Sequence, residues 1–487
     1  MNAKQSTAPR IAVIGAGMSG LLAGIKLVEA GYDNFTIYEK AERVGGTWRD
    51  NTYPGLTCDV PSQHYCYSFA LNPEWSHLFS PGPEIQGYFE GISERYALAP
   101  YLRLGKELQR AAWQGEQWAL TFADGEAVEC DVVIMATGVL HHPIWPEIPG
   151  VGSFDGPQFH TARWDHDVPL EGKRVGIIGT GSTAIQITPA VIDRVGSLSL
   201  FQRTPQWILP IPNPAYSDEE KAQFRAEPEL LADSYHAFSE RIRTTIARAV
   251  VGDAEQMQKI ADACRRNLED NVRDPELRAR LTPDYAVACK RLIMSENFYA
   301  AIQRDNAELV TTSIQAIEAR GIRTTDGRLH ELDVLVYATG FDAHRFIRGV
   351  QISGLNGVTV DEAWKDGLYA HRSMSLPGFP NLFMMIGPNS PIGNFSLIMV
   401  AEEQIRYILA LVEEIRQGRC TRLQPREEAC AAFNAAVRGA MGNTVWVSGC
   451  RSWYLDKNGQ PILWPWGLER FLEDMRAPDL SEYVLAG

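Results

Sequence analysis

The sequence predicts an α/β protein in which two parallel-sheet folds follow one another, the second interrupted by helices. Residues 10–31 (RIAVIGAGMSGLLAGIKLVEAG) and 173–192 (KRVGIIGTGSTAIQITPAVI) each indicate a buried strand, a Gly-rich turn and a helix. Each half later supplies an apolar strand that ends in Ala-Thr-Gly, at 130–138 and 332–340. Strand, Gly-rich turn, helix and strand, occurring twice, is the pattern of two dinucleotide-binding, Rossmann-like domains.

The same pattern predicts the domain organisation. We interpret residues 1–150 as the first part of one nucleotide-binding domain, 151–374 as a second domain, and 375–487 as the remainder of the first. Residues from about 217 to 285 are rich in Glu, Arg, Ala and Leu at helical spacing. They are therefore expected to form a helical insertion in the second domain. Residues 397–416 are predicted to form an amphipathic helix.

Composition excludes several classes of function. With 45% hydrophobic and 22% charged residues in a chain of 487, the protein has an ordinary globular composition. Its net charge of −14 argues against a nucleic-acid groove or an anionic membrane as partner. No apolar run is long enough to span a membrane, and the N-terminal MNAKQSTAPR is a polar tail without a signal-peptide core. We expect a cytoplasmic protein.

The cysteines and the other potential ligands predict no metal site. Eight cysteines without a C-x-x-C pair indicate neither a disulfide framework nor a zinc site, so we expect packing residues. No cluster of His, Asp and Glu has the spacing of metal ligands.

The first Gly-rich turn is Gly15-x-Gly17-x-x-Gly20, between a strand and a helix. Glycines there allow a tight turn and the close approach of a pyrophosphate, and the helix N-terminus attracts its charge. Glu39 stands 19 residues after Gly20, where a carboxylate accepts ribose hydroxyls. The alternative is a glycine turn with a surface glutamate.

The second turn, Gly179-x-Gly181-x-x-Ala184, has Arg203 at the same offset. A carboxylate would repel a 2′-phosphate, whereas a guanidinium beside Thr204 can bind one. The first site should therefore prefer FAD or NAD and the second NADPH, unless Arg203 is a solvated surface residue.

Two nucleotide sites suggest electron transfer from a nicotinamide to a flavin. Disulfide reductases carry a redox cysteine pair soon after the second strand of the first fold, but here Trp48 stands in place of the first cysteine. Cys58 has no near partner in the sequence. Dioxygen is therefore the expected electron acceptor.

Two longer motifs resemble those of a known family. Phe154-x-Gly156-x-x-x-His160-x-x-x-Trp164-Asp165 fits the signature F-x-G-x-x-x-H-x-x-x-W-[PD] of the Baeyer–Villiger monooxygenases, which include phenylacetone and cyclohexanone monooxygenases. Residues 46–59 fit a second pattern of that family, G-x-W-x-x-x-x-[FY]-P-G-x-x-x-D. The likeness runs from about residue 10 to the tripeptide Ser452–Tyr454 and includes the order of the two Gly-rich turns.

The resemblance implies a flavoprotein that inserts one oxygen atom of dioxygen next to a ketone carbonyl, through a C4a-peroxyflavin, to give an ester or lactone. Residues 1–150 and 375–487 would bind FAD, and 151–374 would bind NADPH. A ketone and dioxygen would be its partners, and the protein would be a monomer or a weak homo-oligomer. N- or S-oxygenation, as in related flavin monooxygenases, uncoupled NADPH oxidation and a non-catalytic nucleotide sensor stay open as alternatives.

The resemblance also implies roles for single residues. The context CKRLIMSENFYAAIQRDN places Lys290 and Arg291 in the positions of the family's Lys-Arg pair, with Arg291 stabilising the anionic peroxide and adduct. Asp59 would orient Arg291, and Trp453 would line the pocket near the nicotinamide ribose. Without the resemblance, Lys290 and Arg291 would suggest a solvated helix start, Asp59 a loop cap and Trp453 a core aromatic. The expected cofactor-binding residues are Gly15, Gly17, Ser19, Gly20, Glu39, Lys40, Gly46, Thr47, Trp48, Asp59, Tyr65, Gly179, Thr180, Gly181, Ser182, Thr183, Arg203, Thr204, Lys290, Ala338, Thr339 and Trp453.

The stretch FDGPQFHTARWD (154–165) lies between the two folds and suits neither a strand nor an amphipathic helix. We interpret it as a hinge and packing motif between domains that move relative to each other. Gly156 would give backbone freedom, Trp164 would anchor the second domain, and His160 would couple them through hydrogen bonds.

Overall fold

The computed structural model describes residues 8–487, so the first seven residues of the polar tail expected at 1–10 lie outside the described residues. Its strands are β1 Ile11–Ile14, β2 Phe35–Tyr38, β3 Leu102–Arg103, β4 Leu108–Trp113, β5 Trp118–Phe122, β6 Ala127–Cys130, β7 Val132–Met135, β8 Gln158–His160, β9 Arg174–Ile178, β10 Ser197–Phe201, β11 Ile208–Leu209, β12 Ile293–Met294, β13 Ala307–Val310, β14 Ile314–Glu318, β15 Gly321–Thr324, β16 Leu329–Glu331, β17 Val334–Tyr337, β18 Gln351–Ser353, β19 Leu382–Met384, β20 Arg422–Pro425 and β21 Tyr483–Ala486.

The α-helices connect these strands and cover their faces. They are α1 Met18–Glu29, α2 Thr47–Asp50, α3 Gly82–Arg95, α4 Ser182–Val191, α5 Asp218–Ala226, α6 Pro228–Thr244, α7 Ile246–Val250, α8 Ala254–Asn271, α9 Pro275–Leu281, α10 Phe298–Ala301, α11 Val360–Ala363, α12 Leu397–Arg416, α13 Glu427–Ala440 and α14 Leu468–Asp474.

The first sheet draws on both ends of the chain. Its order is β19-β7-β1-β2-β3, and every adjacent pair is parallel. β1 and β7 are four-residue strands buried on both faces, as expected for a parallel sheet between helices. β19 adds Leu382–Met384 beside β7, and α12 packs against α1. Strand β19 and helix α12 from the last part of the chain therefore complete the first sheet and its cover, while the predicted domain bounds stay a prediction.

The second sheet repeats that plan with order β13-β10-β9-β17-β8, again parallel throughout. In each sheet the strand before the Gly-rich turn lies between the next strand along the chain and the strand that ends in Ala-Thr-Gly. Helices α5–α9 follow β10 and occupy Asp218–Leu281 before the chain returns to this sheet. The predicted fold class, two Rossmann-like domains with a helical insertion in the second, is confirmed.

Gly15 and Gly179 begin the two turns with the same backbone geometry. Their φ angles are +105° and +113°, in the left-handed region that favours glycine. A Cβ at Gly15 would lie 2.5 Å from the carbonyl oxygen of Ala136, and one at Gly179 would lie 2.4 Å from that of Ala338. Each Ala-Thr-Gly strand end thus contacts the turn of its own sheet, which explains why both sequence signals recur together.

The stretch 154–165 differs from its prediction. Gln158–His160 form β8, the edge strand of the second sheet, with His160 opposite Tyr337. Three residues are too few for an alternating pattern to reveal a strand. Gly156 does not have a positive φ; a Cβ there would lie 2.7 Å from both the Asp333 carbonyl oxygen and the Phe154 ring. Glycine is therefore required at position 156 because of close packing and not because of backbone freedom.

The expectation that all the cysteines are unpaired packing residues is wrong for two of them. Cys289 and Cys450, 161 residues apart, form a disulfide. The other six are buried thiols, as expected. Sequence spacing gave no sign of this bond, because the fold alone brings the two segments together. A cytoplasmic location stays a prediction.

Across residues 8–487, no helix is both long enough and apolar enough to cross a membrane. Over the same residues, no group of three or more His, Cys, Asp and Glu side chains could hold a metal ion.

Candidate active site

A cavity of about 850 Å³ lies between the two sheets and is lined from both. The first Gly-rich turn contributes Gly15 and Gly17, and the second contributes Gly181 and Ser182. Helices α1 and α4 begin there with glycine N-caps that provide no side-chain hydrogen bond, and neither has an acidic residue in its first turn. Their free N–H groups and positive dipole ends suit the phosphates of nucleotides.

Glu39 lies at the end of β2, where the sequence places a ribose-binding carboxylate. It is buried, and it lines the cavity. Its Oε2 accepts a hydrogen bond from the Ala16 N–H at 2.8 Å, and Arg49 forms an ion pair with Oε1 at 3.0 Å. The alternative expectation, that Glu39 is a surface glutamate beside a glycine turn, is therefore wrong. These bonds fix the carboxylate against the first Gly-rich turn.

Trp48 and Tyr65 line the same cavity and are hydrogen-bonded to each other. The Trp48 Nε1–H donates to the Tyr65 hydroxyl at 3.1 Å, and both residues line the space. The turn that lies between them in the chain, with Gly55 at φ +79°, approaches α4. A Cβ at Gly55 would lie 2.5 Å from the Gln186 carbonyl oxygen, and the Tyr53 hydroxyl donates to the Gln186 side chain at 2.8 Å. The second sequence motif therefore places the loop of the first domain against the second.

Lys290 and Arg203 are two neighbouring cations near the second Gly-rich turn. Burial lowers the pKa of Lys290, and the charge of Arg203 lowers it further. Arg203 is exposed, whereas Lys290 lines the cavity. Next to Arg203, the carbonyl of Thr204 accepts a hydrogen bond from the Thr180 hydroxyl of the second Gly-rich turn at 2.7 Å. Two like charges repel each other, so an anion bound between them would stabilise this arrangement.

Arg291 and Asp59 meet at the centre of the cavity although 232 residues separate them. The guanidinium donates to Asp59 Oδ2 from Nε at 3.0 Å and from Nη2 at 2.6 Å. The two side chains keep 31% and 32% of their surface exposed, facing a cavity that both line. The charge of Asp59 raises the pKa of Arg291 above its usual value, so this cation does not lose its proton. Arg291 is therefore no solvated helix start.

Residues 13–81 match the model of a family described as NAD(P)-binding Rossmann-like domain. The chain is 50% identical to an uncharacterised monooxygenase of Mycobacterium tuberculosis, over 94% of this chain and 92% of that protein. It is 40% identical to a Baeyer-Villiger monooxygenase of Streptomyces coelicolor, over 97% and 92%.

The chain belongs to the Baeyer–Villiger monooxygenase family. The resemblance stated from the motifs is thereby confirmed. A solved structure agrees: the OTEMO complex with FAD and NADP is 27% identical and superimposes with a TM-score of 0.88 over 99% of this chain and 100% of that one.

Not every predicted site residue lines the cavity. Those that do are Gly15, Gly17, Ser19, Glu39, Lys40, Gly46, Thr47, Trp48, Asp59, Tyr65, Gly181, Ser182, Thr183, Lys290, Arg291, Ala338 and Trp453. Gly20, Gly179, Thr180, Arg203, Thr204 and Thr339 lie behind or beside this lining. Gly20 has a structural reason to be glycine, since its Cβ would lie 1.8 Å from the Gly15 carbonyl oxygen.

The signature residues of the Baeyer–Villiger monooxygenases lie outside the cavity lining. His160 is 1% exposed, and its Nδ1 accepts from the Ala162 N–H at 3.1 Å, while Nε2 has no hydrogen-bond partner. Burial lowers the pKa of His160 to about 4. Trp164 packs edge-on against Phe159, with 5.0 Å between ring centroids, in the core of the second sheet. Both therefore pack within the second domain, and a hinge role between the domains stays a prediction.

Sequence reasoning missed part of this site. The Tyr454 hydroxyl lies beside Arg291, although only its neighbour Trp453 is singled out by the sequence. Apolar residues Ile386, Ile392, Phe395 and Leu397 also line the cavity. The tripeptide Ser452–Tyr454 was a usable signal for Tyr454, but nothing in the sequence distinguishes these apolar residues from core residues.

Proposed function

We propose that this protein is an FAD- and NADPH-dependent monooxygenase that inserts one oxygen atom of dioxygen next to a ketone carbonyl, giving an ester or lactone. The observation that carries the proposal is the Arg291–Asp59 pair, which lies in a cavity lined by both nucleotide-binding turns. Family membership and the FAD and NADP in the solved OTEMO complex support the same cofactors.

The residues of the first domain fit FAD. Gly15, Gly17 and the uncapped start of α1 would bind its pyrophosphate, and Glu39 would accept hydrogen bonds from its ribose. Trp48, Tyr65 and the loop from Gly46 would enclose the rest. Bound FAD, reduced by NADPH, supplies the activated oxygen.

The residues of the second domain fit NADPH. A Cβ at Gly181 would meet nothing within 4 Å, so the turn presents open backbone at the start of α4. Lys290 and Arg203 supply the positive charge that a 2′-phosphate requires, and a phosphate between them would relieve their repulsion. This favours NADPH over NADH.

Arg291 would stabilise the negative charge that develops on the carbonyl oxygen of the ketone during the reaction. A fixed cation is effective because it needs no reorganisation as charge forms. The raised pKa of Arg291 also matters. A guanidinium that keeps its proton cannot protonate a nucleophilic oxygen, whereas a lysine could. Asp59 would hold the guanidinium by two hydrogen bonds to one oxygen.

The apolar lining would exclude water. Ile386, Ile392 and Phe395 are buried residues on the cavity wall near Gly393. A dry wall beside the reacting atoms would strengthen the field of Arg291 and limit loss of the activated oxygen as hydrogen peroxide.

The test is turnover of the purified protein with NADPH, dioxygen, a panel of ketones and a thioether, with products identified by mass. We expect ester or lactone from at least one ketone. Sulfoxide without ester would assign the protein to N- or S-oxygenation, and hydrogen peroxide equal to all NADPH consumed would assign it to NADPH oxidation.

The matched variant is Arg291→Ala. Reduction of the flavin by NADPH should continue, while ester formation should fall at least 100-fold, about the cost of removing one oxyanion-stabilising group. The control Arg304→Ala removes an exposed ion pair with Asp193 and should leave both rates unchanged. Normal ester formation by Arg291→Ala would refute the assignment.

A further inference from the structure

Tyr454 is buried immediately behind Arg291. Its side chain is 3% exposed and is absent from the cavity lining, whereas Arg451, Ser452 and Trp453 of the same segment line it. The hydroxyl lies beside the guanidinium, and this proximity contributes to the raised pKa of Arg291. The tyrosine therefore contacts Arg291 without facing the space where a substrate would lie.

Gly393 makes this contact possible. With φ at +88°, it has a backbone conformation that favours glycine. A Cβ there would lie 2.7 Å from the Tyr454 hydroxyl oxygen and 3.5 Å from Arg291 Nη1. Since Nε and Nη2 are bonded to Asp59, the Tyr454 hydroxyl lies near Nη1, the remaining nitrogen. The carboxylate and the hydroxyl therefore lie beside different nitrogens of one planar group.

The segment that carries Tyr454 is itself fixed. The Cys289–Cys450 disulfide lies two residues before Arg291 and four before Tyr454, so one covalent link joins the backbones of both. The Tyr454 carbonyl accepts from the Ile462 N–H at 3.0 Å, and its ring packs against Trp453 with 4.5 Å between centroids. The hydroxyl is therefore held in place by its surroundings.

We propose that Tyr454 is a positioning residue that fixes the Arg291 guanidinium from the side opposite the cavity. A neutral hydroxyl suits this role, because a second carboxylate would cancel the positive charge that Arg291 must offer the substrate oxygen. Burial raises the pKa of Tyr454, so the hydroxyl stays neutral beside the cation. The inference rests on the proposed function of Arg291.

The test is Tyr454→Phe, which removes only the hydroxyl. We expect the rate of ester formation to fall about tenfold, as for the loss of one hydrogen bond to a charged group. Hydrogen peroxide per NADPH should rise, while the KM for NADPH and the rate of flavin reduction stay as in the wild type. The control Tyr407→Phe removes an equally buried hydroxyl, bonded to Tyr483 at 3.1 Å away from the cavity, and should leave ester yield unchanged.

A second measurement needs no turnover. Melting temperatures of the full-length protein with Arg291→Met, Tyr454→Phe and both changes form a double-mutant cycle. Non-additive shifts are expected, because removing Arg291 leaves the hydroxyl without its partner. Additive shifts, or an unchanged ester yield in Tyr454→Phe, would overturn the inference. If the wild type formed no ester from any ketone, the proposed function would fail, and the cycle would still decide whether Tyr454 holds Arg291.

Discussion

Arg291 and Asp59 illustrate what single residues in a sequence can and cannot reveal. Their distance along the chain, 232 residues, exceeds any spacing rule, and each taken alone suggests a surface residue. A family motif brought them together, and the fold places both in one cavity. Tyr454 lacked such an assignment because its contact exists only where the C-terminal segment folds back onto Arg291.

Glu39 and Arg203 were easier to predict, because both belong to local patterns. Each follows a Gly-rich turn by a fixed offset, and the strand geometry places the end of the second strand beside the turn. The Gly15 N–H donates to the Tyr38 carbonyl at 2.7 Å, and the Gly179 N–H donates to that of Phe201 at 3.1 Å. Residues close in sequence and tied to regular elements are therefore within reach of sequence reasoning.

Arg203→Ala tests the proposed choice of nicotinamide at this scale. Loss of one charge-assisted hydrogen bond to a 2′-phosphate should raise the KM for NADPH about tenfold or more, with a small effect on kcat. The KM for NADH, which has no such phosphate, should hardly change. The control Arg194→Ala removes an exposed partner of Glu171 in the same domain and should change neither constant. Equal effects on both nucleotides would exclude phosphate recognition by Arg203.

At the scale of elements, long regular segments follow from the sequence and short ones do not. Helix α12 occupies Leu397–Arg416, the range predicted from its amphipathic pattern. Strand β8 has three residues and owes its conformation to pairing with β17 rather than to its own side chains. The Cys289–Cys450 bond is a further case, because it joins the segment before β12 to a segment more than 150 residues later that only the fold brings close.

Cys450→Ser tests this bond. Opening a covalent loop of 161 residues should lower the free energy of unfolding by about 2–4 kcal/mol and the melting temperature by several degrees. A reductant such as dithiothreitol should lower the melting temperature of the wild type to that of the variant and leave the variant unchanged. Equal melting temperatures of wild type and variant before reduction would show that the bond is absent in solution.

For the whole molecule, the junction of the domains explains why so many site residues come from distant segments. The first sheet is completed by β19, the second sheet by β8, and the loop around Gly55 contacts α4 between them. Periodicity predicts each sheet by itself, since each has its own buried strands. How the two sheets face each other, and hence the shape of the substrate space, depends on packing that no local pattern encodes.

Acid sensitivity is expected of the whole molecule, because buried histidines lie in three separate parts of it. His64, His160 and His371 are each 1% exposed, and burial is the main cause that lowers the pKa of each to about 4. An unfolded histidine has a pKa of about 6.5. Between these pKa values the unfolded chain binds protons that the folded protein does not. The contribution of these histidines to the free energy of unfolding is therefore fully present above about pH 6.5 and is lost as the pH falls towards 4.

The decline should reach about 1.4 kcal/mol per pH unit for each such histidine. Thermal unfolding measured from pH 7 to pH 5 should therefore show a steadily falling melting temperature, before the carboxylates begin to titrate. His64→Gln should make the pH dependence of the melting temperature less steep, because it removes one of the three buried histidines. The Nδ1 of His64 is buried without a hydrogen-bond partner, and its ring packs on Tyr235 of the inserted helices with 4.7 Å between centroids. The exposed His166→Gln should leave the dependence as it is. A melting temperature independent of pH over this range would mean that the buried rings do accept protons in the folded protein.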